Sequence, residues 1–258
     1  MTDLPLLSAR GLTKFYGERL GCRDVTFDLH EGEVLAVVGE SGSGKSTLLG
    51  LLATELAPSA GAVHYRMRDG AVRDLSELTE AERRLLLRTD WGFVRQDARE
   101  GLRMDVSAGG NVGERLMAVG ARHYGNIRAA ASDWLARVEI EAGRIDDTPK
   151  SFSGGMRQRL QIARNLVTHP RLVFMDEPTS GLDVSVQARL LDLIRGLVAE
   201  LGLAVIIVTH DLAVARLLSH RIMVMRRGRV IETGLTDQVL DDPREAYTQL
   251  LVSSVLAA

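Results

Sequence analysis

The sequence is poor in cysteine. Cys22 is the single one in 258 residues, which excludes an internal disulfide and fits a reducing compartment. Charge of one sign is also missing: 32 Lys and Arg stand against 34 Asp and Glu, a net −2. A global electrostatic footprint for nucleic acid is therefore absent. No long hydrophobic run is present either. Stretches such as "LGLAVIIV" (201–208) fall far short of the roughly 20 residues that span a bilayer. "MTDLPLLSAR" lacks a basic start followed by an apolar core, so no secretory leader is expected and the cytoplasm is the expected location. Neither an internal repeat nor a low-complexity tract interrupts the chain. What remains, with 45% apolar and 26% charged residues, reads as an ordinary globular protein.

Three short apolar runs stand out: "VLAVVG" (34–39), "LVFM" (172–175) and "AVIIV" (204–208). Such runs suit strands buried on both faces of a parallel sheet. Helical patterns lie between them, so the expected class is α/β with crossover helices. Ligands in such sheets bind beyond the carboxyl ends of the strands. There stand "GESGSGKST", "DEPTSGLD" and "THD". The first thirty or so residues predict short antiparallel strands, with turns at Gly11, Gly17, Gly21 and Gly32. From 97 to 150 three- and four-residue apolar spacing predicts a helical lobe, ending in the connecting loop "EAGRIDDTPK". The tail beyond 231 is expected to be helical after Pro243.

The run Gly39, Glu40, Ser41, Gly42, Ser43, Gly44, Lys45, Ser46 and Thr47 fits the phosphate-loop pattern. Its glycines let successive N–H groups turn inward on phosphate oxygens, and a helix start adds its positive end. Lys45 is expected on the β- and γ-phosphates, and Ser46 in a magnesium shell. In "LVFMDE", Asp176 and Glu177 end a strand and point to opposite sides. Asp176 is expected to orient magnesium, directly or through water. Glu177 would polarise an attacking water, the mark of hydrolysis. His210 ends another run and would contact phosphate while orienting that water. Gln96, opening the helical stretch, would bond water or magnesium.

"FSGGMRQR" (152–159) supplies a second glycine pair at a helix start with no lysine beside it. The ordered set of "GESGSGKS", Gln96, "FSGGMRQR", "LVFMDE", "SGLD" and His210 resembles the ATPase subunits of ATP-binding cassette systems. The resemblance implies a P-loop NTPase fold with an N-terminal antiparallel β subdomain and an inserted helical lobe. One domain is then expected, with a core of 1–96 and 151–230, the lobe at 97–150 and a tail at 231–258. It also implies ATP and Mg2+ as cofactors and a second cassette subunit, a homodimer by expectation. Ser153, Gly154 and Gly155 would meet the γ-phosphate held by the other subunit, and Asp183 would lie near that subunit's phosphate loop. Tyr16 matches the residue that stacks on adenine; a core tyrosine is the alternative. Phe152 and Met156 replace the family's usual leucine and glutamine, while the serine and both glycines remain.

Two machines are compatible with these motifs. "GLDVSVQARLLDLI" and "YTQLL" are similar to oligopeptide and nickel import ATPases. "DAREGLRMDVSAGGNVGERLMAVGARHYGNIR" instead resembles the ATP-binding subunits of phosphonate carbon–phosphorus lyase systems. That second resemblance implies a soluble lyase complex as partner, with no nucleic acid and no direct membrane insertion. One cysteine cannot ligate the cluster of a radical lyase, so ATP hydrolysis is the chemistry expected of this chain. Arg99, Arg103, Arg115, Arg122 and Arg128 give the lobe a basic character, either a solvated face or a docking surface.

Overall fold

The computed structural model describes residues 4–256. The chain begins with β1 (Leu7–Tyr16), β2 (Arg19–Leu29), β3 (Val34–Val38), α1 (Lys45–Leu52), β4 (Ala60–Arg66) and β5 (Val72–Asp74). Its middle holds α2 (Glu80–Thr89), β6 (Trp91–Val94), α3 (Ala98–Gly101), α4 (Ala108–Ala118), α5 (Tyr124–Arg137), α6 (Gly154–Leu166), β7 (Leu172–Asp176) and α7 (Val184–Leu201). Two single 3-10 turns, Ala142–Arg144 and Pro149–Ser151, fill the connection between α5 and α6. Last come β8 (Ala204–Thr209), α8 (Leu212–Leu218), β9 (Arg221–Arg226), β10 (Arg229–Leu235), α9 (Thr236–Asp241) and α10 (Ala246–Leu256). The chain up to Arg83, with the chain from Gly202 onward, forms one compact unit; Arg84–Leu201 forms the other.

The first unit contains an antiparallel sheet of order β2-β1-β4-β5. Leu7, Ala9 and Leu12 of β1 and Val25, Phe27 and Leu29 of β2 turn one face inward, as period-two alternation dictates. Cys22 is buried there, and loss of solvent pushes its thiol up to about 11, so it behaves as a small apolar residue. Gly17 and Gly32 take the left-handed φ expected at turns, whereas Gly11, with φ 59°, lies inside β1 where the register with β2 shifts between Ala9 and Leu12. Gly21 is not at a turn either: it sits inside β2, because a neighbouring ring leaves no room for a side chain.

The unit's second sheet is built on β3, whose five residues are all buried. It pairs in parallel with β8 (Val34 with Val205, Val38 with Thr209) and with β9, and β9 continues antiparallel into β10. Neighbours on both edges and cover on both faces explain why these strands read as unbroken apolar runs.

In the second unit β6 and β7 pair in parallel, Trp91 opposite Leu172 and Val94 opposite Met175. Trp91 meets Phe174 edge to face at 5.2 Å. The other edge of β6 is satisfied by helix side chains. Asn165 accepts from the Phe93 N–H at 3.0 Å and donates to the Phe93 carbonyl at 2.9 Å. Gln161 accepts from the Arg95 N–H at 2.6 Å and donates to the Arg95 carbonyl at 3.2 Å, where Gln158 donates as well. The spacing is favourable: four helical residues rise about 6 Å, close to the roughly 6.6 Å of two strand residues. Asn165 and Gln161 thus serve α6 as a substitute strand. Among the described residues no helix is long and apolar enough to cross a membrane.

Gln161 is fully buried, so Gln161→Leu strands the Arg95 N–H and should cost about 1–3 kcal/mol. Urea unfolding with an unchanged m-value is the expected readout, and an unaltered midpoint would remove the ladder from the stability account.

Candidate functional site

The phosphate loop leaves the carboxyl end of β3 and enters α1. Gly39 has φ 149° and Gly44 has φ 104°. A Cβ on Gly39 would lie 2.2 Å from the Met225 carbonyl oxygen, and one on Gly44 would lie 2.4 Å from that of Gly21. Glycine is required at both positions by backbone contact as well as by conformation. The Gly228 N–H donates to the Ser43 carbonyl at 2.8 Å, bracing the loop from the β9–β10 turn. Lys45 is buried, and its Nζ donates to the carbonyls of Gly39 at 2.7 Å and Glu40 at 3.0 Å.

Helix α1 begins differently from the helices that have a side-chain cap. Asp97, Ser107, His123, Ser153 and Asp211 cap α3, α4, α5, α6 and α8. Gly44 precedes α1 with no side-chain cap. A helix start with its positive end and no side-chain acceptor is a cradle for phosphate oxygens. Ser41, Gly42 and Ser46 are exposed along this loop, whereas Ser43 is buried.

Tyr16 is 46% exposed, so the alternative of a core tyrosine is set aside. A Cβ on Gly21 would meet the Tyr16 ring at 2.9 Å and the Thr47 methyl at 2.8 Å. The ring therefore stands beside the start of α1, and Gly21 keeps the gap between them closed. The Lys14 ammonium lies 5.5 Å from the ring centroid. His210 is exposed just beyond β8. Since Val38 pairs with Thr209, His210 and the phosphate loop leave adjacent strands at the same end.

The second unit gathers the other residues. β6 runs into Gln96 and β7 into Asp176 and Glu177, again at one end of a parallel pair. Gln96, Asp176, Ser180 and Gly154 line a cavity of about 510 Å³, and Gln96 Nε2 donates to Ser180 Oγ at 3.1 Å. Glu177 has φ 45°, a left-handed conformation uncommon outside glycine and asparagine. Its carbonyl accepts from the Ser180 N–H, so the chain turns sharply after the two carboxylates. Asp183 is exposed immediately before α7, and its carbonyl accepts from the Val186 and Gln187 N–H groups.

Ser153 and Gly154 are exposed at the start of α6, and Ser153 Oγ accepts from the Met156 N–H at 3.2 Å. The serine is thus a helix cap in this state. Gly155 is buried, where a Cβ would lie 2.6 Å from the Val186 methyl, so α6 and α7 meet only because this residue is small. Phe152 is buried with the Arg144 guanidinium 4.6 Å from its ring centroid.

All five arginines between 97 and 130 have internal partners. Arg99, Arg103 and Arg128 pair with Asp97, Glu114 and Asp146. Arg128 holds the Asp146 carboxyl below its ordinary range by hydrogen bonding. Arg115 donates to the Leu87 and Trp91 carbonyls, and burial lowers its guanidinium to about 10. Arg122 donates to the Met117 and Ala121 carbonyls. Sequence reasoning missed Ser180 beside Gln96, and it missed Gln158, Gln161 and Asn165 behind it. Their three- and four-residue spacing on "MRQRLQIARNLV" reads as a solvated stripe, and only the bare edge of β6 makes it a buried one.

An uncapped phosphate loop at a buried strand end, with paired carboxylates and a serine–glycine helix start, is the equipment of a cassette ATPase. The family described as ABC transporter matches residues 22–180, and the chain belongs to that family: it is an ATP-binding, ATP-hydrolysing cassette. It is 66% identical to the phosphonates utilization ATP-binding protein PhnK of Escherichia coli K12 over 252 residues, 98% of each chain. It is 37% identical to the dipeptide transport ATP-binding protein DppF of the same organism, over 97% of this chain and 76% of that one. Among solved structures it resembles a dimeric, post-hydrolysis ATP-binding cassette, MJ0796, bound to ADP and Pi. There the TM-score is 0.79 at 30% identity, over 89% of this chain and 98% of that one. The match to CbiO1 of Clostridium perfringens, part of the cbiONQ ABC transporter complex, has a TM-score of 0.80 at 29% identity. It covers 92% of this chain and 91% of that one.

If Tyr16 stacks on adenine, Tyr16→Ala should weaken ATP binding about tenfold, the scale of one base–aromatic stack. Inorganic triphosphate, which has no base, should bind both proteins equally in calorimetry. Equal loss for both ligands would place Tyr16 in loop support instead.

Proposed function

We propose that this cassette hydrolyses ATP in the service of a soluble carbon–phosphorus lyase complex acting on alkylphosphonates in the cytoplasm. The observation that carries the reading is the 66% identity to a phosphonates utilization protein over nearly the whole chain, against 37% to a dipeptide transport protein. The resemblance of the stretch after Gln96 to the cassettes of phosphonate systems supports the same reading. We place the docking surface on the lobe, within 97–130. Because the arginines of that stretch are already engaged by carboxylates and carbonyls of this chain, exposed apolar side chains such as Met117 and Tyr124 are the better contacts.

The residue roles follow from the chemistry of each position. Amides of the loop from Gly39 to Gly44 bind phosphate oxygens, and Lys45 exchanges two carbonyl partners for the β- and γ-phosphates, a stronger charge-assisted contact. Thr47 borders Tyr16, which stacks on the base. The Ser46 hydroxyl, the Asp176 carboxylate and the Gln96 amide are the hard oxygen ligands suited to Mg2+, which neutralises charge on the phosphates when bound. Glu177 accepts a proton from the attacking water, and His210 holds that water against the γ-phosphate. Two copies pair head to tail, so that Ser153, Gly154 and Gly155 present their amides to the γ-phosphate held by the second copy. Asp183 links the two sites. Gln96, tied to Ser180, carries the change to the lobe.

The alternative is an import motor on a permease, favoured by the identity to DppF over 97% of this chain. A detergent-free pull-down of the tagged protein from phosphate-starved cells, with and without ATP, separates the two. Co-purification of soluble lyase subunits is the expected result. Recovery only from membranes, together with a permease, would overturn the lyase reading.

A further inference from the structure

The tail "YTQLLVSSVL" (247–256) has no part in the cycle above, yet it reaches the phosphate loop. The Glu40 N–H donates to the Tyr247 phenol oxygen at 3.1 Å, across 207 positions of sequence. Tyr247 is 6% exposed, and the Arg226 guanidinium covers its ring at 4.6 Å. Arg226 ends the strand whose Met225 carbonyl packs on Gly39, so ring and loop share one support. The approach to α10 is also fixed: Glu232 accepts from the N–H groups of Arg244 at 2.9 Å and Glu245 at 3.2 Å. Gln249 Nε2 donates to the Pro243 carbonyl at 2.9 Å, and Leu250 is exposed. Among the described side chains of α10, the buried ones, Tyr247 and Thr248, stand at its start.

We propose that Tyr247 is a positioning residue for ATP binding, its phenol oxygen fixing the first peptide of the phosphate loop. A loop whose amides must converge on phosphate loses affinity for each degree of freedom left open before binding. Glu40 opens that loop, and its N–H is held by the tail rather than by the loop itself. The Tyr247 bond thus orders the backbone in advance, and the C-terminal helix becomes part of the ATP site's support. The inference rests on ATP binding by this loop and is independent of the partner that the cassette serves.

Tyr247→Phe keeps the ring under Arg226 and removes only the oxygen. One hydrogen bond to a fixed amide corresponds to a roughly three- to tenfold change in affinity. The Kd and KM for ATP should rise by that factor, with kcat at saturating ATP within twofold of wild type. Hydrogen exchange at the Glu40 amide should accelerate, while Leu250→Ala, in the same helix but exposed, should change none of these. An unchanged or tighter Kd in Tyr247→Phe would overturn the proposal, as would equal loss of kcat and affinity with a lowered Tm. Absence of ATP binding in the wild type would instead contradict the ATPase assignment itself.

Discussion

The start of α1 is the point on which the rest depends. A helix that opens on a glycine with no side-chain cap keeps its positive end available to an anion. The loop before it must then be held by something other than its own side chains. Here much of that support is backbone, the Met225 carbonyl beside Gly39, the Gly21 carbonyl beside Gly44 and the Gly228 N–H on Ser43, and the Tyr247 phenol adds to it at Glu40. No side chain larger than hydrogen fits at either glycine, so the loop has little freedom to collapse. Lys45 turns back onto two loop carbonyls, which keeps its charge paired within the loop. The proposed exchange of those carbonyls for phosphate would be favoured by a dipole set already fixed in place.

The second unit follows a different principle. Its Gln96 strand lacks a strand partner on one edge, and α6 supplies hydrogen bonds there from Asn165, Gln161 and Gln158. The same helix starts at Ser153 and Gly154. Residues at the helix start and at the strand end are therefore tied by buried bonds that cannot slip without stranding the amides of Phe93 or Arg95. Gln96 in turn bonds Ser180, after the two carboxylates. A change felt at one of these positions has a short polar route to the others.

Much of the fold was legible because β3, β7 and β8 are buried on both faces and leave unbroken apolar runs. The phosphate loop was legible because its glycines recur at fixed spacing. Tyr16 is exposed rather than part of the core, but its surroundings were not legible: Gly21 reads as a turn residue, and only the ring beside it explains a glycine inside a strand. The amides of α6 were missed because buried polar side chains look like exposed ones until an unpaired strand edge is seen. The lobe arginines show the converse. Their charge reads as either a solvated face or a docking face, and Asp97, Glu114, Asp146 and nearby carbonyls already engage them. Tyr247 was illegible for a simpler reason, since a contact across most of the chain leaves no local pattern.

In the proposed dimer, one cassette's phosphate loop is completed by the serine–glycine helix start of another. Sedimentation velocity of Glu177→Gln, with and without ATP and Mg2+, tests it most directly. The expected result is a monomer without nucleotide and a dimer with it, and loss of that dimer when Ser153→Arg is added. A protein that binds ATP yet stays monomeric, or a dimer indifferent to Ser153→Arg, would contradict it.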